Sequence, residues 1–189
     1  MILPVEFYQR PTLTVARLLL GSVLVRQVDG TRRSGVIVET EAYVGESDLA
    51  CHARAGRTQR TTVMYGRAGT AYVYFTYGMH WLLNAVTEQE GFPAAVLLRA
   101  ILPLEGAGRI AEQRRGGDTR GPAKLTQALS IDGTFNGADL TRPLAGLWIE
   151  AGDSIPDENV TIGPRVGLNT VPEPWKSKPW RFLATAGSR

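Results

Sequence analysis

Cysteine is almost absent from this chain, since Cys51 is the only one among 189 residues. A single cysteine excludes an intrachain disulfide, which fits the reducing cytoplasm. Long apolar runs are also absent, so we expect no transmembrane helix. The N-terminus lacks the basic and apolar regions of a secretory signal. Together these absences predict a cytoplasmic protein with no membrane partner.

Histidine is scarce as well, with only two in the chain. His52 follows Cys51 directly, but two adjacent ligands without a second pair do not have the spacing of a zinc site. No flanking signature supports Cys51 as a catalytic nucleophile. The sequence therefore predicts no metal site.

The overall composition is that of an ordinary globular protein, with 43% hydrophobic and 21% charged residues. Its length predicts one domain spanning residues 1–189. The formal net charge of +3 permits a polyanionic partner without requiring one. Arginines are crowded into the aperiodic stretch Gly45–Arg67. They fit either phosphate contacts or a solvated loop.

Three of the six tyrosines lie between Tyr72 and Tyr77. Their β-branched and aromatic neighbours predict a strand, with Tyr72 and Tyr74 on one face and Tyr77 on the other. Gly78 marks a chain reversal, and Trp81–Val86 is the predicted return strand. The pattern fits a buried aromatic hairpin, or an aromatic finger that projects from a rigid pair of strands.

A second strand, Arg33–Val44, contains the sequence V-E-T-E-A-Y. Strand alternation places four residues on one face: Ile37, Glu39, Glu41 and Tyr43. Two acids on one face fit a solvated surface, yet the flanking Ile37 and Tyr43 indicate partial burial. A partly desolvated carboxylate can act as a general base or stabilise a developing positive charge.

Two further segments each contain a positively charged residue in a position that calls for an explanation. Arg99 interrupts the apolar strand Pro93–Leu102, so it either extends to the edge or pairs with a buried acid such as Glu39 or Glu41. Lys124 stands in a helix that opens at Pro122, which fits a phosphate site or a plain helix start.

Five blocks of the sequence, in this order, resemble the alkyladenine (3-methyladenine) DNA glycosylase family. They are VETEAY at 38–43 with His52 downstream, GTAYVYFTYGMHWLLN at 69–84, AVLLRAILPLEG at 95–106, GPAKLTQAL at 121–129 and RVG at 165–167. They cover most of the chain. The resemblance implies an α+β fold: a single compact domain with a curved antiparallel β-sheet, surrounding helices and a protruding β-hairpin that intercalates into DNA.

The resemblance also implies a hydrolytic reaction. Glu41 matches the general base that activates water for attack on C1′ of the deoxyribose. Arg99 and the main-chain carbonyl of Val166 match the groups that hold this water. The family uses neither a lysine nucleophile nor a metal or other cofactor, so we expect a free base and an abasic site without strand cleavage.

The same comparison implies a pocket for an extruded base. Tyr43, His52 and Tyr74 match the side chains that sandwich this base, and the backbone N–H of His52 matches the group that reads an adenine-type edge. Asn84 matches the residue at the pocket floor that disfavours the guanine 2-amino group. Tyr77 matches the residue that fills the gap left in the duplex.

The implied partner is double-stranded DNA with damaged purines, bound by a monomer through the minor groove. Further expected DNA contacts are Met79, His80, Arg57, Arg60, Lys124 and Arg165; His80 stands where relatives often carry an aromatic residue. The implied role is base excision repair of 3-methyladenine, and also of 7-methylguanine, hypoxanthine or ethenoadenine, by a bacterial protein associated with the nucleoid. The alternatives are a non-catalytic damage-binding protein and a hydrolase of free nucleosides.

Overall fold

The computed structural model describes residues 1–113 and 118–185. In these ranges the strands are β1 (Val23–Val28), β2 (Thr31–Val44), β3 (Ala71–Thr76), β4 (His80–Val86), β5 (Ala94–Glu105), β6 (Leu147–Glu150), β7 (Val160–Gly163) and β8 (Arg181–Ala184). The α-helices described there are α1 (Val5–Tyr8), α2 (Thr12–Leu18), α3 (Ala107–Gln113) and α4 (Pro122–Ala128). None of these helices is long and apolar enough to cross a membrane.

The strands form one curved, open antiparallel sheet in the order β3-β4-β5-β2-β1-β6, with β7 and β8 branching from β2. Strand β2 is central because it pairs with β5 along one edge over most of its length. Along the other edge, β2 pairs first with β1 and then with β8. Helices α2 and α4 pack against the sheet. The predicted α+β class and compact single-domain architecture are confirmed.

The pairing of β2 with β5 is irregular at Glu39. Ile37 pairs with Ile101, and the next pairs leave Val38 as an extra residue on β2 and Arg99 as an extra residue on β5. An extra residue shifts the alternation of a strand by one position. Ile37 therefore belongs to the hydrophobic core, and its predicted position on the face of the carboxylates was wrong.

Beyond the irregularity, β2 alternates as predicted. Thr40 and Ala42 are fully buried, and Ala42 belongs to the core. Glu39, Glu41 and Tyr43 share the opposite face, which the alternation of the strand requires. Both glutamates are buried rather than solvated, so this face forms part of an enclosed site.

Candidate active site

A cavity of about 320 Å³ lies between the β3–β4 hairpin, β2, β5 and the turn at 164–167. Its walls include seven residues that the sequence analysis selected: Tyr43, His52, Tyr74, Tyr77, Asn84, Arg99 and Val166. These residues are distant in sequence. The fold thus brings the expected base-pocket residues and two of the expected catalytic groups to one place.

Glu41 is fully buried beside the lining of this cavity. The backbone N–H of Val166 donates to its Oε1 at 2.7 Å, and the Tyr43 hydroxyl donates to its Oε2 at 2.9 Å. Nη1 of Arg99 lies 3.4 Å from Oε1. The carboxylate is therefore held by three residues that line the cavity. The contact with the Val166 amide was not predicted, because only the carbonyl of that residue was assigned a role.

The surroundings of Glu41 act on its pKa in opposite directions. Burial is the largest effect and raises the pKa of this carboxyl, and the negative charge of Glu39 raises it slightly further. Arg99, the Val166 N–H and the Tyr43 hydroxyl oppose this rise by stabilising the ionised form. The result is a carboxyl with a raised pKa, which is a stronger base when ionised than an exposed glutamate.

Arg99 does not extend to the sheet edge. Its Nε donates to Oε1 of Glu39 at 2.8 Å, while its Nη1 approaches Glu41. Of the two alternatives left open by the sequence, pairing with a buried acid is the correct one, and Arg99 pairs with both acids. The guanidinium therefore stands between the two carboxylates of β2.

His52 and Tyr74 form one wall of the cavity together. Their ring centroids are 4.5 Å apart in an edge-on arrangement, and Nδ1 of His52 lies 3.0 Å from the hydroxyl of Tyr72. Burial, followed by the charges of Arg60 and Arg54, lowers the pKa of His52 to about 4. The ring is therefore neutral near pH 7 and adds no positive charge to the cavity. Tyr72 was not assigned a role, although alternation places it beside Tyr74.

Asn84 is buried in β4, directly across from Tyr72 of β3. Its Nδ2 donates to the backbone oxygen of Tyr72 at 3.0 Å. This hydrogen bond fixes the amide side chain at the cavity wall, where its oxygen remains a hydrogen-bond acceptor.

The β3–β4 hairpin is buried at its base and exposed at its tip. Thr76 pairs with His80, so the reversal comprises Tyr77, Gly78 and Met79. Tyr77 is 84% exposed and Met79 65% exposed, and both Tyr77 (φ 51°) and Gly78 (φ 67°) have left-handed backbones. Tyr77 also borders the cavity, although most of its surface is exposed. The tip is an exposed aromatic finger.

Two of the predicted DNA-contacting arginines are exposed, and Arg60 contacts the hairpin. Nη2 of Arg60 lies 3.4 Å from the backbone oxygen of Phe75, and its guanidinium lies 5.1 Å from the Tyr74 ring centroid. Arg57 donates to Thr62 through its Nε. His80 is half-buried at the start of β4. The guanidinium groups of Arg57 and Arg60 both remain exposed and can contact an anionic partner.

The remaining predicted cations differ in accessibility. Lys124 is half-exposed and pairs with Asp118, so a phosphate would have to compete with that carboxylate. The Arg165 side chain is fully buried and forms a bidentate pair with buried Asp48, at 2.5 and 2.9 Å. It also donates to the backbone oxygen of Ala42. This position corrects the expected DNA contact, because a buried guanidinium offers no surface to a phosphate.

Asp48 gives this buried pair its structural function. Its Oδ2 accepts a hydrogen bond from the backbone N–H of Val44, and its Oδ1 accepts one from Ala50. The Arg165 guanidinium also lies 4.7 Å from the centroid of the Tyr43 ring. The Asp48–Arg165 ion pair therefore links the segment that precedes His52 to the turn that contains Val166.

The described residues contain no group of three or more His, Cys, Asp or Glu side chains arranged to hold a metal ion. Cys51 is buried beside the cavity, and burial raises the pKa of its thiol to about 12. A thiol with such a pKa is protonated near pH 7 and is a poor nucleophile. Cys51 is therefore not a candidate nucleophile here.

Comparisons with known proteins agree with this geometry. Residues 6–188 match the model of the family described as "Methylpurine-DNA glycosylase (MPG)". The chain is 47% identical to a protein of Chlorobaculum parvum over 96% of this chain and 86% of that one. It is 48% identical to one of Myxococcus xanthus over 95% and 88%, and 46% identical to one of Methanocella arvoryzae over 96% and 91%. All three carry the name "Putative 3-methyladenine DNA glycosylase".

Proposed function

The chain belongs to the methylpurine-DNA glycosylase family, and we propose that it removes damaged purines from duplex DNA by hydrolysing the N-glycosidic bond. The observation that carries the proposal is the buried Glu41 carboxylate, held by Arg99, Tyr43 and Val166, three residues that line the aromatic cavity. A buried acid is costly to ionise. A site that only binds a damaged base has no need of one, so this feature favours catalysis over damage binding alone.

Duplex DNA must first expose the damaged nucleotide. Extrusion of a base costs a few kcal/mol, and stacking on an aromatic side chain returns about 1–3 kcal/mol per base. Tyr43 stacks on one side of the extruded base, and His52 with Tyr74 contacts the other. Tyr77 enters the minor groove and fills the vacated position, as the apolar wedges of other minor-groove proteins do.

Hydrolysis then uses the groups at the cavity wall. Arg99 and the backbone carbonyl of Val166 hold a water molecule beside Glu41, which removes its proton as the water attacks C1′ of the deoxyribose. The bond between C1′ and the purine nitrogen breaks, and its electron pair leaves with the base. The products are a free base and an abasic site. No covalent enzyme intermediate forms, so the strand stays intact and the enzyme is monofunctional.

The cavity favours cationic purines, of which 3-methyladenine is the first candidate substrate. The neutral His52 ring and the faces of Tyr43 and Tyr74 attract a positively charged base. Such a base also leaves readily because departure neutralises it. Asn84 disfavours the 2-amino group of guanine. 7-Methylguanine, hypoxanthine and ethenoadenine are secondary substrates.

Exposed groups around the hairpin supply the remaining DNA contacts. Arg57 and Arg60 provide sequence-independent attraction to phosphates, and Lys124 joins them when DNA displaces Asp118. Met79 and His80 contact the duplex beside Tyr77. One hairpin enters the duplex at one lesion, so a monomer suffices.

A single-turnover excision assay tests this function. Wild type, Glu41→Gln and the exposed control Glu158→Gln are incubated with methylated duplex DNA and with a duplex that carries one hypoxanthine. Alkali cleavage then reveals abasic sites. We expect wild type and Glu158→Gln to release bases, and Glu41→Gln to bind the lesion but release it at least about 100-fold more slowly, because loss of a general base costs about 10²–10⁴ in rate.

Other outcomes would redirect the proposal. A wild-type protein that binds all these duplexes and releases nothing is a damage-binding protein. Release of bases from free nucleosides at a rate independent of salt identifies a nucleoside hydrolase, because attraction to DNA phosphates weakens as the salt concentration rises.

A further inference from the structure

Glu39 is held by two arginines from the two strands that flank β2. Nε of Arg99, on β5, donates to Oε1 of Glu39 at 2.8 Å, and Nε of Arg181, on β8, donates to the same oxygen at 2.6 Å. The Glu39 side chain is buried between them. The three residues form a linear network in which Glu39 links β8 to the catalytic arginine.

Arg99 is shared unequally by the two carboxylates of β2. Its Nε is 2.8 Å from Glu39, whereas its Nη1 is 3.4 Å from Glu41. Two opposite charges with little water between them attract strongly, so without Glu39 the guanidinium would move onto Glu41. A shorter, hydrogen-bonded ion pair would stabilise the ionised carboxylate further, weaken it as a base and occupy space that the attacking water needs.

We propose that Glu39 is a positioning residue that keeps the Arg99–Glu41 ion pair long, at 3.4 Å, and that Arg181 holds Glu39 in place. This inference rests on the proposed hydrolytic function and adds two residues to it. Neither residue touches the reacting atoms. Both act through the distance between Arg99 and Glu41.

The backbone around Glu39 supports a dedicated arrangement. Arg99 is the extra residue on β5 at the irregularity in its pairing with β2, and Val38 is the extra residue on β2. Bulges of this kind redirect a side chain and are over-represented beside active sites. Here they place Arg99 on the same side of the sheet as both carboxylates, at the point where β2 changes its neighbour from β1 to β8.

A second cavity makes this network accessible to small solutes. It has a volume of about 520 Å³ and borders Glu39, Arg99 and Arg181. Arg99 and Val166 line both cavities. A small cation that entered the second cavity could therefore replace the Arg181 guanidinium beside Glu39.

The first experiment compares Glu39→Gln with Glu105→Gln. Glu105 also accepts a hydrogen bond from an arginine, Arg32, but on the exposed part of β5. We expect Glu39→Gln to bind lesion DNA like wild type and to excise the base about 10- to 100-fold more slowly, as loss of a supporting contact or a misplaced catalytic group does elsewhere. Glu105→Gln should match wild type in both measurements.

The pH dependence of excision distinguishes positioning from a general loss of structure. The charged and titratable groups around Glu41 are Glu39, Tyr43, Tyr74, Arg99, Arg165 and Arg181. Glu39→Gln removes a negative charge that raises the pKa of Glu41, and frees Arg99 to lower it further. The acid limb of the rate profile, where Glu41 becomes protonated, should therefore move to lower pH, whereas partial unfolding would only reduce its amplitude.

The second experiment is chemical rescue of Arg181→Ala. We expect this variant to be slow, and guanidinium ion at millimolar concentration to raise its rate by restoring a cation beside Glu39. Urea, which is uncharged and similar in shape, should not. Guanidinium should also fail to accelerate wild type, Glu39→Gln and the surface control Arg17→Ala, which loses a partner of exposed Asp157.

The outcomes separate this inference from the function on which it rests. If wild type excises bases, Glu41→Gln does not, and Glu39→Gln matches wild type in rate and pH profile, the positioning role is overturned and the function stands. If Glu39→Gln does not fold, the rescue of Arg181→Ala decides, and equal effects of urea and guanidinium overturn the proposal. A wild type that releases no base overturns both.

Discussion

At the scale of single residues, the site combines groups that are unfavourable for folding with groups that stabilise them. Glu41 is the clearest case, because its ionised form is desolvated and its contacts with Arg99, Tyr43 and Val166 compensate for this only in part. His52 is kept neutral by its buried position and the nearby arginines. Active sites commonly hold such perturbed groups at some cost in stability.

This cost predicts that Glu41→Gln stabilises the free protein. The folded pKa of Glu41 lies above its ordinary value of 4.5, so its contribution to stability is complete below that value and is lost as pH rises through the folded pKa. Gln does not titrate. We expect the Tm of Glu41→Gln to exceed that of wild type at pH 7.5, by about 2–4 °C for each kcal/mol gained.

Calorimetry at several pH values checks this expectation. The difference in Tm should shrink towards pH 4, where wild-type Glu41 is protonated as well. A variant that is less stable than wild type at pH 7.5 would show that Arg99 and the two hydrogen bonds outweigh desolvation.

At the scale of elements, the base of the β3–β4 hairpin lines the cavity, and its tip is exposed. Its base contributes Tyr74 and Asn84 to the cavity, and its tip presents Tyr77 to solvent. Tyr77 adopts a left-handed backbone, which costs a non-glycine residue roughly 1–2 kcal/mol. A tyrosine at such a strained, exposed position indicates a role in binding a partner rather than in stabilising the fold.

Tyr77→Gly should therefore leave the fold as stable as wild type, or about 1 kcal/mol more stable, while it impairs work on duplex DNA. We expect a large loss of single-turnover excision from duplex substrate and a small loss from single-stranded substrate, where no vacated position needs filling. Tyr77→Phe, which keeps the ring, serves as the control. Equal losses on both substrates would place Tyr77 in the base pocket alone.

Much of the element structure followed from the sequence, and the exceptions have physical causes. The hairpin and the acid-bearing strand were predictable from period-2 patterns, and Arg99 was conspicuous in an apolar run. Ile37 was assigned to the wrong face because paired extra residues shift the alternation, and nothing local marks Val38 as one of them. Arg165 was taken for a surface cation because its buried partner, Asp48, lies over 100 residues earlier in the chain.

At the scale of the whole molecule, contacts between residues far apart in the sequence determine which positively charged side chains are accessible to DNA. The formal net charge of +3 does not distinguish them, whereas burial does. Arg165 and Asp48 join the segment before His52 to the turn that carries Val166. Arg60 remains on the surface beside the hairpin.

Arg165→Met and Arg60→Ala should consequently affect different properties: the first should lower the stability of the fold, and the second should weaken the salt dependence of DNA binding. Arg165→Met leaves the Asp48 carboxylate buried without its partner, which costs about 3–5 kcal/mol of unfolding free energy. It should not change the slope of DNA affinity against salt concentration. Arg60→Ala should make that slope shallower by about one and change stability by at most about 0.5 kcal/mol.

Denaturant titration and binding to undamaged duplex at several salt concentrations measure both quantities. Low temperature keeps Arg165→Met folded during the binding measurements. A shallower salt slope for Arg165→Met, with stability unchanged, would return this residue to the set of DNA contacts.

The cavity takes its two walls from separate stretches of chain. Tyr43 and Arg99, which both contact Glu41, come from the paired central strands, whereas His52, Tyr74 and Asn84 come from the loop and hairpin beside them. Substitutions in the loop and hairpin can therefore change the shape of the cavity that a base would enter without disturbing the strand pairing that positions Arg99 and Glu41.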